Sequence, residues 1–544
     1  MEEILAQIWA EVLRLDRVSV DQNFFELGGD SILAIQAVAR ANKKGFRLKP
    51  QDLFENQTIC GLAAVAAAKQ EPVMKQTVLG KLPLTPAQRW FLEQGWQFPQ
   101  HCNQSVLLKA SAPLAPACVE AATQAVLARH ESLQLRFHCR DGEWEQTYSG
   151  FQHEIIYTLI DLSHLQRVRG LSAMEAAAAR IQSSLNISEG PLIRIVQFVL
   201  GNNVQDRLLI VVHHLAVDVV SWLFLLDDLQ TAAGQISRGE PLHLLSQSAS
   251  YPEWALALQR YVDSGDIDSE CEYWGALERS GIGPLPSDFP SGTNDVRSRD
   301  VLTVCLNAAE TKILLKHVTT ANRCEVLEIL LAAAAAGCNH WTGQNAVLLD
   351  MEGHGRESIV EAKSGEIDVS SVVGWFTTIY PMLIQIAPDL DLRSKLRSVK
   401  NQFRAVPRKG AGYGLLRYMG RKSAQQMLAP QSQISFNFLG VIDHLLGRDP
   451  LFSVAAEFGG NPHSPVERRR YVLEITGKIV DGQLWFDFGY SRNLHRRGTI
   501  HGLAENVLQE LRRYTIDCCV PADPETSDFR LASLNEKDLD TILK

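Results

Sequence analysis

The sequence lacks the patterns that mark membrane, metal-binding and nucleic-acid-binding proteins. Its ten cysteines form no CxxC pair, and the most apolar run, residues 329–338, is too short to cross a bilayer. The net charge is −9 at pH 7 with no long basic run, which makes nucleic acid and anionic membranes poor partners. There is no tandem repeat, no low-complexity tract and no signal-peptide pattern. These absences predict a cytoplasmic protein with free thiols and no metal site.

The composition and length are those of a globular chain with several domains. The 544 residues are 46% hydrophobic and 21% charged, and the length predicts three or four domains. Apolar residues recur at helical spacing in the first 70 residues, and residues 69–81 show no apolar period. From about residue 84 onward, helix and strand patterns alternate, which predicts an α/β architecture.

Two adjacent histidines stand where a predicted strand turns into a predicted helix. The run Arg207–Val212 is typical of a buried strand, His213 and His214 follow it, and Asp218 occupies the N-cap position of the next helix. Strand ends of this kind are where α/β proteins build their sites. Because neighbours in extended backbone point to opposite faces, the two histidines cannot share a metal. We expect one to serve packing or orientation, which leaves the other available for chemistry.

A serine stands at the start of a predicted helix near the N-terminus. The segment Ser31–Arg40 has helical apolar spacing and follows Gly28 and Gly29. One interpretation is that Ser31 caps the helix. The other is that Ser31 carries a phosphodiester, because the free N–H groups and the dipole of a helix N-terminus favour a phosphate.

Several motifs resemble those of nonribosomal peptide synthetases. The pattern HHxxxDxxSW at residues 213–222 resembles the active-site signature of the condensation/epimerisation superfamily. Residues 24–31, Phe-Phe-Glu-Leu-Gly-Gly-Asp-Ser, resemble the phosphopantetheine attachment motif of peptidyl carrier proteins. Four further stretches resemble the epimerisation branch: Glu352–Glu357, Val373–Thr377, Pro407–Gly414 and Phe436–Gly440.

This resemblance implies an α/β chain with two functional units. A small four-helix carrier bundle would occupy residues 1–70, followed by a linker at 71–82. Two chloramphenicol-acetyltransferase-like lobes, at 83–255 and 256–520, would then form a V around a central cleft. Residues 521–544 would form a docking tail, because they carry an amphipathic stretch too short to fold alone.

The resemblance also implies a reaction and its residues. The chain would invert, from L to D, the α-carbon of an aminoacyl or peptidyl thioester held by 4′-phosphopantetheine on Ser31, through an enolate and without another cofactor. His214 and Glu352 would transfer the protons on opposite faces. The supporting residues would be His213, Asp218, Ser221 and Asn437. Phe438 stands where the family pattern has tyrosine, so no tyrosine hydroxyl can act there.

The implied partners are an upstream adenylation domain, a phosphopantetheinyl transferase and a downstream condensation domain on another chain, reached through the tail. One alternative is a condensation domain that forms a peptide bond. Asp30 before the carrier serine, Glu352 and the carrier-first order argue against it. The other alternative is an inactive carrier and docking module, against which the intact His214 and Glu352 argue.

Overall fold

A computed structural model of the chain describes residues 1–68, 78–152, 154–201, 204–244, 249–277, 282–356, 367–428, 432–442 and 451–519. The predicted docking tail therefore lies outside the described residues. No helix within those ranges is long and apolar enough to cross a membrane. All ten cysteines are free, as expected.

The N-terminal unit is a small helical bundle around its own core. Trp9 and Phe24 are fully buried at its centre, with their ring centroids 4.8 Å apart. A two-residue antiparallel pairing joins Phe46 and Arg47 to Ala68 and Ala67. Its elements are α1 (Glu2–Val12), α2 (Ser31–Lys43), β1 (Phe46–Arg47), α3 (Pro50–Glu55), α4 (Ile59–Val65) and β2 (Ala67–Ala68).

The cap of helix α2 is Asp30 and not Ser31. Asp30 has extended backbone and its Oδ1 accepts a hydrogen bond from the Leu33 N–H at 2.8 Å. The interpretation of Ser31 as a capping serine is therefore wrong. Ser31 is the first helical residue, so its side chain is free of the capping role.

The second unit begins with interleaved strands and helices. The elements up to residue 275 are β3 (Gly80–Leu82), α5 (Pro86–Glu93), β4 (Asn103–Ala110), α6 (Pro116–Arg129), β5 (Arg136–Arg140), β6 (Glu143–Tyr148), β7 (Tyr157–Asp161), α7 (Arg167–Gln182), β8 (Ile193–Val199), β9 (Arg207–His213), α8 (Val219–Ser237), α9 (Tyr251–Ser264) and α10 (Cys271–Gly275).

The rest of the second unit follows the same pattern. Its elements are β10 (Arg299–Cys305), α11 (Ala308–Ile313), α12 (Thr319–Asn322), α13 (Val326–Thr342), β11 (Ala346–Gly353), β12 (Thr378–Gln385), α14 (Leu392–Arg404), α15 (Ala411–Gly414), α16 (Lys422–Met427), β13 (Ile434–Val441), β14 (Phe452–Val454), β15 (Leu473–Val480), β16 (Gln483–Ser491) and α17 (Arg497–Asp517).

Two mixed sheets organise this unit. One has the strand order β14-β4-β9-β8-β7, and the other has the order β10-β16-β15-β13-β11-β12. All seven residues of β9 are buried, which agrees with its apolar sequence. Strand β14 comes from the C-terminal half but pairs with β4 of the first sheet. Chain segments from both halves therefore contribute to the sheet that carries the histidines.

One predicted strand begins later in the structure than the sequence pattern indicates. The apolar stretch 371–380 predicts a strand along its whole length, yet β12 starts only at Thr378. The preceding segment bonds to side chains instead, because Ser221 Oγ donates to the Gly374 carbonyl and Asp218 Oδ2 accepts from the Phe376 N–H. These side chains satisfy backbone groups that a sheet would otherwise pair.

Candidate active site

One large cavity brings together the residues that the sequence motifs single out. Its volume is about 2320 Å³, and its lining includes Ser31 of the carrier, His214 and Glu352. Sites for small ligands usually measure roughly 300–1,000 Å³. The cavity is therefore large enough for a long, tethered substrate and not only for a single small molecule.

His214 follows strand β9 and lies in the cavity wall. Its ring is tilted against Trp375 with the centroids 4.1 Å apart, and its Nε2 atom lies 3.0 Å from Gln104 Nε2. Burial lowers the pKa of His214 below the ordinary histidine value, although backbone groups and the charge of Asp218 oppose the shift. His214 is therefore neutral at neutral pH.

His213 is the last residue of β9 and bonds to backbone groups instead of lining the cavity. Its Nε2–H donates to the Pro99 carbonyl at 2.7 Å, and its Nδ1 accepts from the Leu215 N–H at 3.1 Å. Burial lowers its pKa to about 3. Both ring nitrogens are used for backbone bonds, so His213 shapes the turn that presents His214.

Glu352 stands at the end of β11, in the second sheet. Asn437 Nδ2, from the neighbouring strand β13, donates to Glu352 Oε2 at 2.6 Å. Burial raises the pKa of Glu352 to about 7, and the charges of Glu474 and Asp350 add to this effect. The carboxyl group therefore exists in both protonation states near neutral pH, which suits proton transfer.

Asp218 joins the two halves of the second unit. It caps α8 by accepting from the Ser221 N–H at 2.7 Å, and it also pairs with Arg356 Nη2 at 3.0 Å. The sequence leaves open whether Asp218 caps or pairs with an arginine, and it does both. Arg356 Nη2 also donates to Ser221 Oγ at 3.0 Å, so Ser221 belongs to the same buried network.

The carrier unit packs against helix α8 of the second unit. Ile35 and Ala39 of α2 pack with Val220, Leu223 and Phe224 of α8. Beside this apolar contact, Lys43 pairs with Asp227. A second contact joins the two units: the ammonium group of Lys409, from the second unit, lies 5.2 Å from the centre of the Phe54 ring of the carrier.

Asp30 connects the carrier directly to the second sheet. Its Oδ2 accepts a hydrogen bond from the N–H of Val441, the last residue of β13, at 3.2 Å. Burial raises the pKa of Asp30, although backbone N–H groups oppose the shift. The contact holds the residue before Ser31 against the same strand that supplies Asn437.

Ser31 has the surroundings that a tethered phosphopantetheine needs. It is the first residue of helix α2, where free N–H groups favour a phosphate, and it lines the cavity that contains His214 and Glu352. When bound, the group would supply a flexible arm ending in a thiol, on which an acyl group is carried as a thioester.

Several site residues escaped sequence reasoning. Gln104 and Trp375 both line the cavity and contact His214. Trp375 lies inside the motif Val373–Thr377, so the sequence does offer a signal for this residue. Gln104 lies in an ordinary strand pattern, and nothing in the sequence near it distinguishes it.

Comparison with known proteins places the chain in a family. Residues 78–528 match the condensation domain family, and residues 3–66 match the phosphopantetheine attachment site family. One of the linear gramicidin synthase proteins of Brevibacillus parabrevis is 39% identical over 98% of this chain. The chain spans only 10% of that protein's length.

Solved structures share the fold of the second unit. The epimerization domain from the third module of tyrocidine synthetase B is 30% identical, with a TM-score of 0.74 over 83% of this chain and 99% of that one. The first condensation domain of the CDA synthetase is 16% identical, with a TM-score of 0.59 over 82% of this chain and 98% of that one. The chain therefore belongs to the condensation-domain family, as a nonribosomal peptide synthetase segment in which a carrier domain with a phosphopantetheine attachment site precedes the condensation-type domain.

Proposed function

We propose that this segment inverts the α-carbon of an aminoacyl or peptidyl thioester carried by phosphopantetheine on Ser31. The observation that carries the proposal is that His214 and Glu352, from different sheets, line one cavity together with Ser31. Inversion requires that a proton leave one face of the α-carbon and that another arrive on the opposite face. Groups on two walls of a cleft meet that requirement.

The protonation states of His214 and Glu352 support a role for each group in proton transfer. His214 is neutral and is able to accept a proton, whereas Glu352 has a pKa of about 7 and is able to donate or accept one. Neither group needs a metal or redox partner for this chemistry. Asn437 holds the Glu352 carboxyl in place, and its NH₂ group has a second N–H with which it would stabilise the enolate oxygen of the substrate.

The alternative proposal is peptide-bond formation, since condensation domains share the fold and the histidine pair. Two observations favour epimerisation. The likeness to an epimerization domain is stronger in both identity and TM-score than the likeness to a condensation domain. In addition, Glu352 lines the same cavity as His214 and is a second titratable group, which proton return requires and simple condensation does not. The adenylation domain, the transferase and the downstream condensation domain remain proposed partners.

A single experiment separates these functions. The full chain is loaded on Ser31 with an L-aminoacyl-phosphopantetheine and incubated in D₂O without any acceptor. We expect a mixture of L and D thioesters with deuterium at the α-carbon. Retention of pure L thioester without deuterium contradicts the proposal and favours condensation or an inactive module. The chain with Ser31→Ala is the control, because it should accept no loading.

A further inference from the structure

The ring of His214 is hydrogen-bonded to a side chain to which no role has been assigned. Gln104 lies on β4, the strand that pairs with β9, and its Nε2 is 3.0 Å from His214 Nε2. The other end of the same amide, Gln104 Oε1, accepts from the indole N–H of Trp222 at 2.7 Å. The three side chains form a short chain of hydrogen bonds from helix α8 to the cavity.

The direction of these bonds follows from the chemistry of the donors. An indole N–H only donates, so the oxygen of the Gln104 amide must face Trp222. The NH₂ group of Gln104 must then face His214. A ring nitrogen opposite an N–H donor must be unprotonated, so Nε2 of neutral His214 carries the lone pair and Nδ1 carries the proton.

The neighbouring histidine shows the opposite arrangement. His213 donates from Nε2 to the Pro99 carbonyl and accepts at Nδ1, so its proton is on Nε2. The two adjacent residues therefore hold opposite tautomers. Each tautomer is set by the groups around that ring and not by the shared sequence context.

We propose that the Trp222–Gln104 pair is a positioning device that holds resting His214 as the Nδ1–H tautomer, with the Nε2 lone pair facing the Gln104 amide N–H, which turns aside before Nε2 receives a proton. This inference rests on the proposed function of His214 as a base. Gln104 acts through His214 and not on the substrate. The proposal also gives a reason for the tryptophan in the HHxxxDxxSW pattern, because Trp222 orients the Gln104 amide.

The same pair limits how His214 gains a proton. A proton on Nε2 would face the amide N–H of Gln104, so the amide must turn away when His214 becomes charged. The charged and titratable groups around the ring are Asp218, whose charge favours the charged form of His214, and His213 and His463, whose own pKa values are lowered by His214. Burial lowers the pKa of His463 to about 4, so His463 is neutral with His213 at neutral pH.

The test is to read the tautomer of His214 directly. Long-range ¹H–¹⁵N correlation on the full chain with ¹⁵N-labelled histidine rings distinguishes Nδ1–H from Nε2–H, and the His214 signals are assigned by their loss in His214→Ala. We expect Nδ1–H in the wild type. In Gln104→Glu, a carboxylate oxygen would face the ring, so we expect Nε2–H and protonation at higher pH.

Two further variants separate positioning from folding. Trp222→Phe keeps the aromatic bulk but lets the Gln104 amide turn over, so we expect a mixture of His214 tautomers. Gln197→Leu removes a buried amide from the same sheet that does not line the cavity, and it should leave the His214 signals unchanged. An Nε2–H tautomer in the wild type, or an unchanged tautomer in Gln104→Glu, overturns the proposal.

The rate of α-carbon inversion provides the functional readout. We expect Gln104→Glu to slow inversion by roughly tenfold to 10⁴-fold at neutral pH, the range seen when the partner of a functional histidine is changed. Loading of Ser31 should be unaffected. Failure of the wild type to exchange its α-proton contradicts the proposed function whatever the tautomer. Exchange at a normal rate in Gln104→Glu contradicts the positioning role alone.

Discussion

At the scale of single residues, one physical cause, burial, shifts the pKa values of the two proposed proton-transfer groups in opposite directions. Burial disfavours charge in both, so it lowers the pKa of His214 and raises the pKa of Glu352 to about 7. Both groups are thus able to be neutral in the same cavity at neutral pH. Sequence alone indicates the histidine as the readier base, because its ordinary pKa is near 6.5.

We expect the roles of His214 and Glu352 to be distinguished by comparing L and D thioester substrates. His214→Ala and Glu352→Gln should each abolish net inversion, with loading on Ser31 unchanged. If each group serves one face, one variant should still exchange the α-proton of the L thioester with solvent, and the other only that of the D thioester. Deuterium incorporation measured separately for L and D thioesters checks this. Loss of exchange with both hands in only one variant would show that one base does all the transfer.

The raised pKa of Glu352 also predicts a dependence of stability on pH. The folded chain binds this proton more tightly than the unfolded chain, whose glutamate titrates near 4.3. The stabilisation of the folded chain by protonated Glu352 is therefore full below about pH 4 and is lost as the pH rises through about 7. Glu352→Gln removes this loss, so its stability should rise relative to wild type by on the order of 3 kcal/mol between pH 4 and 8.

Urea denaturation of both proteins across this pH range measures the difference. Glu26→Gln, at an exposed position on the carrier, is the matched control and should follow the wild type. A constant difference between Glu352→Gln and wild type from pH 4 to 8 would contradict the raised pKa.

At the scale of secondary-structure elements, the contact between helix α2 and strand β13 connects the helix that begins at Ser31 to the strand that holds Asn437. Asp30 caps α2 with one oxygen and accepts from Val441 at the end of β13 with the other. An aspartate is able to do both because it has two acceptor oxygens and no donor when ionised. An asparagine keeps the cap but would oppose the Val441 N–H with its own N–H.

Replacing Asp30 by asparagine should therefore weaken docking without unfolding the carrier. A hydrogen bond to a charged group contributes about 1.5–3 kcal/mol, so we expect inversion to slow by roughly tenfold or more while Ser31 loading stays normal. Single-turnover inversion and the loading rate are measured in parallel. Asp21→Asn, at an exposed carrier position, should match the wild type in both. Normal inversion by Asp30→Asn would remove this contact from the docking surface.

At the scale of the whole molecule, a buried ion pair connects segments that lie far apart in the chain. Arg356 donates to Asp218 and to the carbonyl groups of Val369 and Val372. Its guanidinium lies 4.2 Å from the centre of the Phe376 ring. The turn after β9 and the segment before β12 are therefore held together by one side chain.

Breaking that pair should destabilise the second unit as a whole. Arg356→Leu leaves Asp218 buried and without its cation, which costs about 3–5 kcal/mol. We expect the thermal unfolding midpoint to fall by several degrees, and the double variant with Asp218→Leu to lose less than the two single effects combined. Arg238→Leu, which removes an exposed pair with Glu240, should change the midpoint little. Equal losses in the two arginine variants would contradict the role of the buried pair.

Local sequence was sufficient for the features that depend on neighbouring residues. The cap of α8 by Asp218, the helical start at Ser31, the buried strand β9 and the hairpin between β15 and β16 all follow from short patterns. The motifs also identified His214, Glu352 and Asn437, which the fold brings into one cavity.

Only the tertiary structure decided what these residues contact and which charges they carry. Gln104 reaches His214 across 110 positions, Asn437 reaches Glu352 across 85, and Val441 reaches Asp30 across 411. The same holds for residues 371–377, whose apolar pattern predicts a strand but whose backbone bonds to Asp218 and Ser221. Hydrogen-bond direction and burial depend on atoms brought together by folding, so a linear pattern determines the type of a side chain but not its tautomer or its pKa.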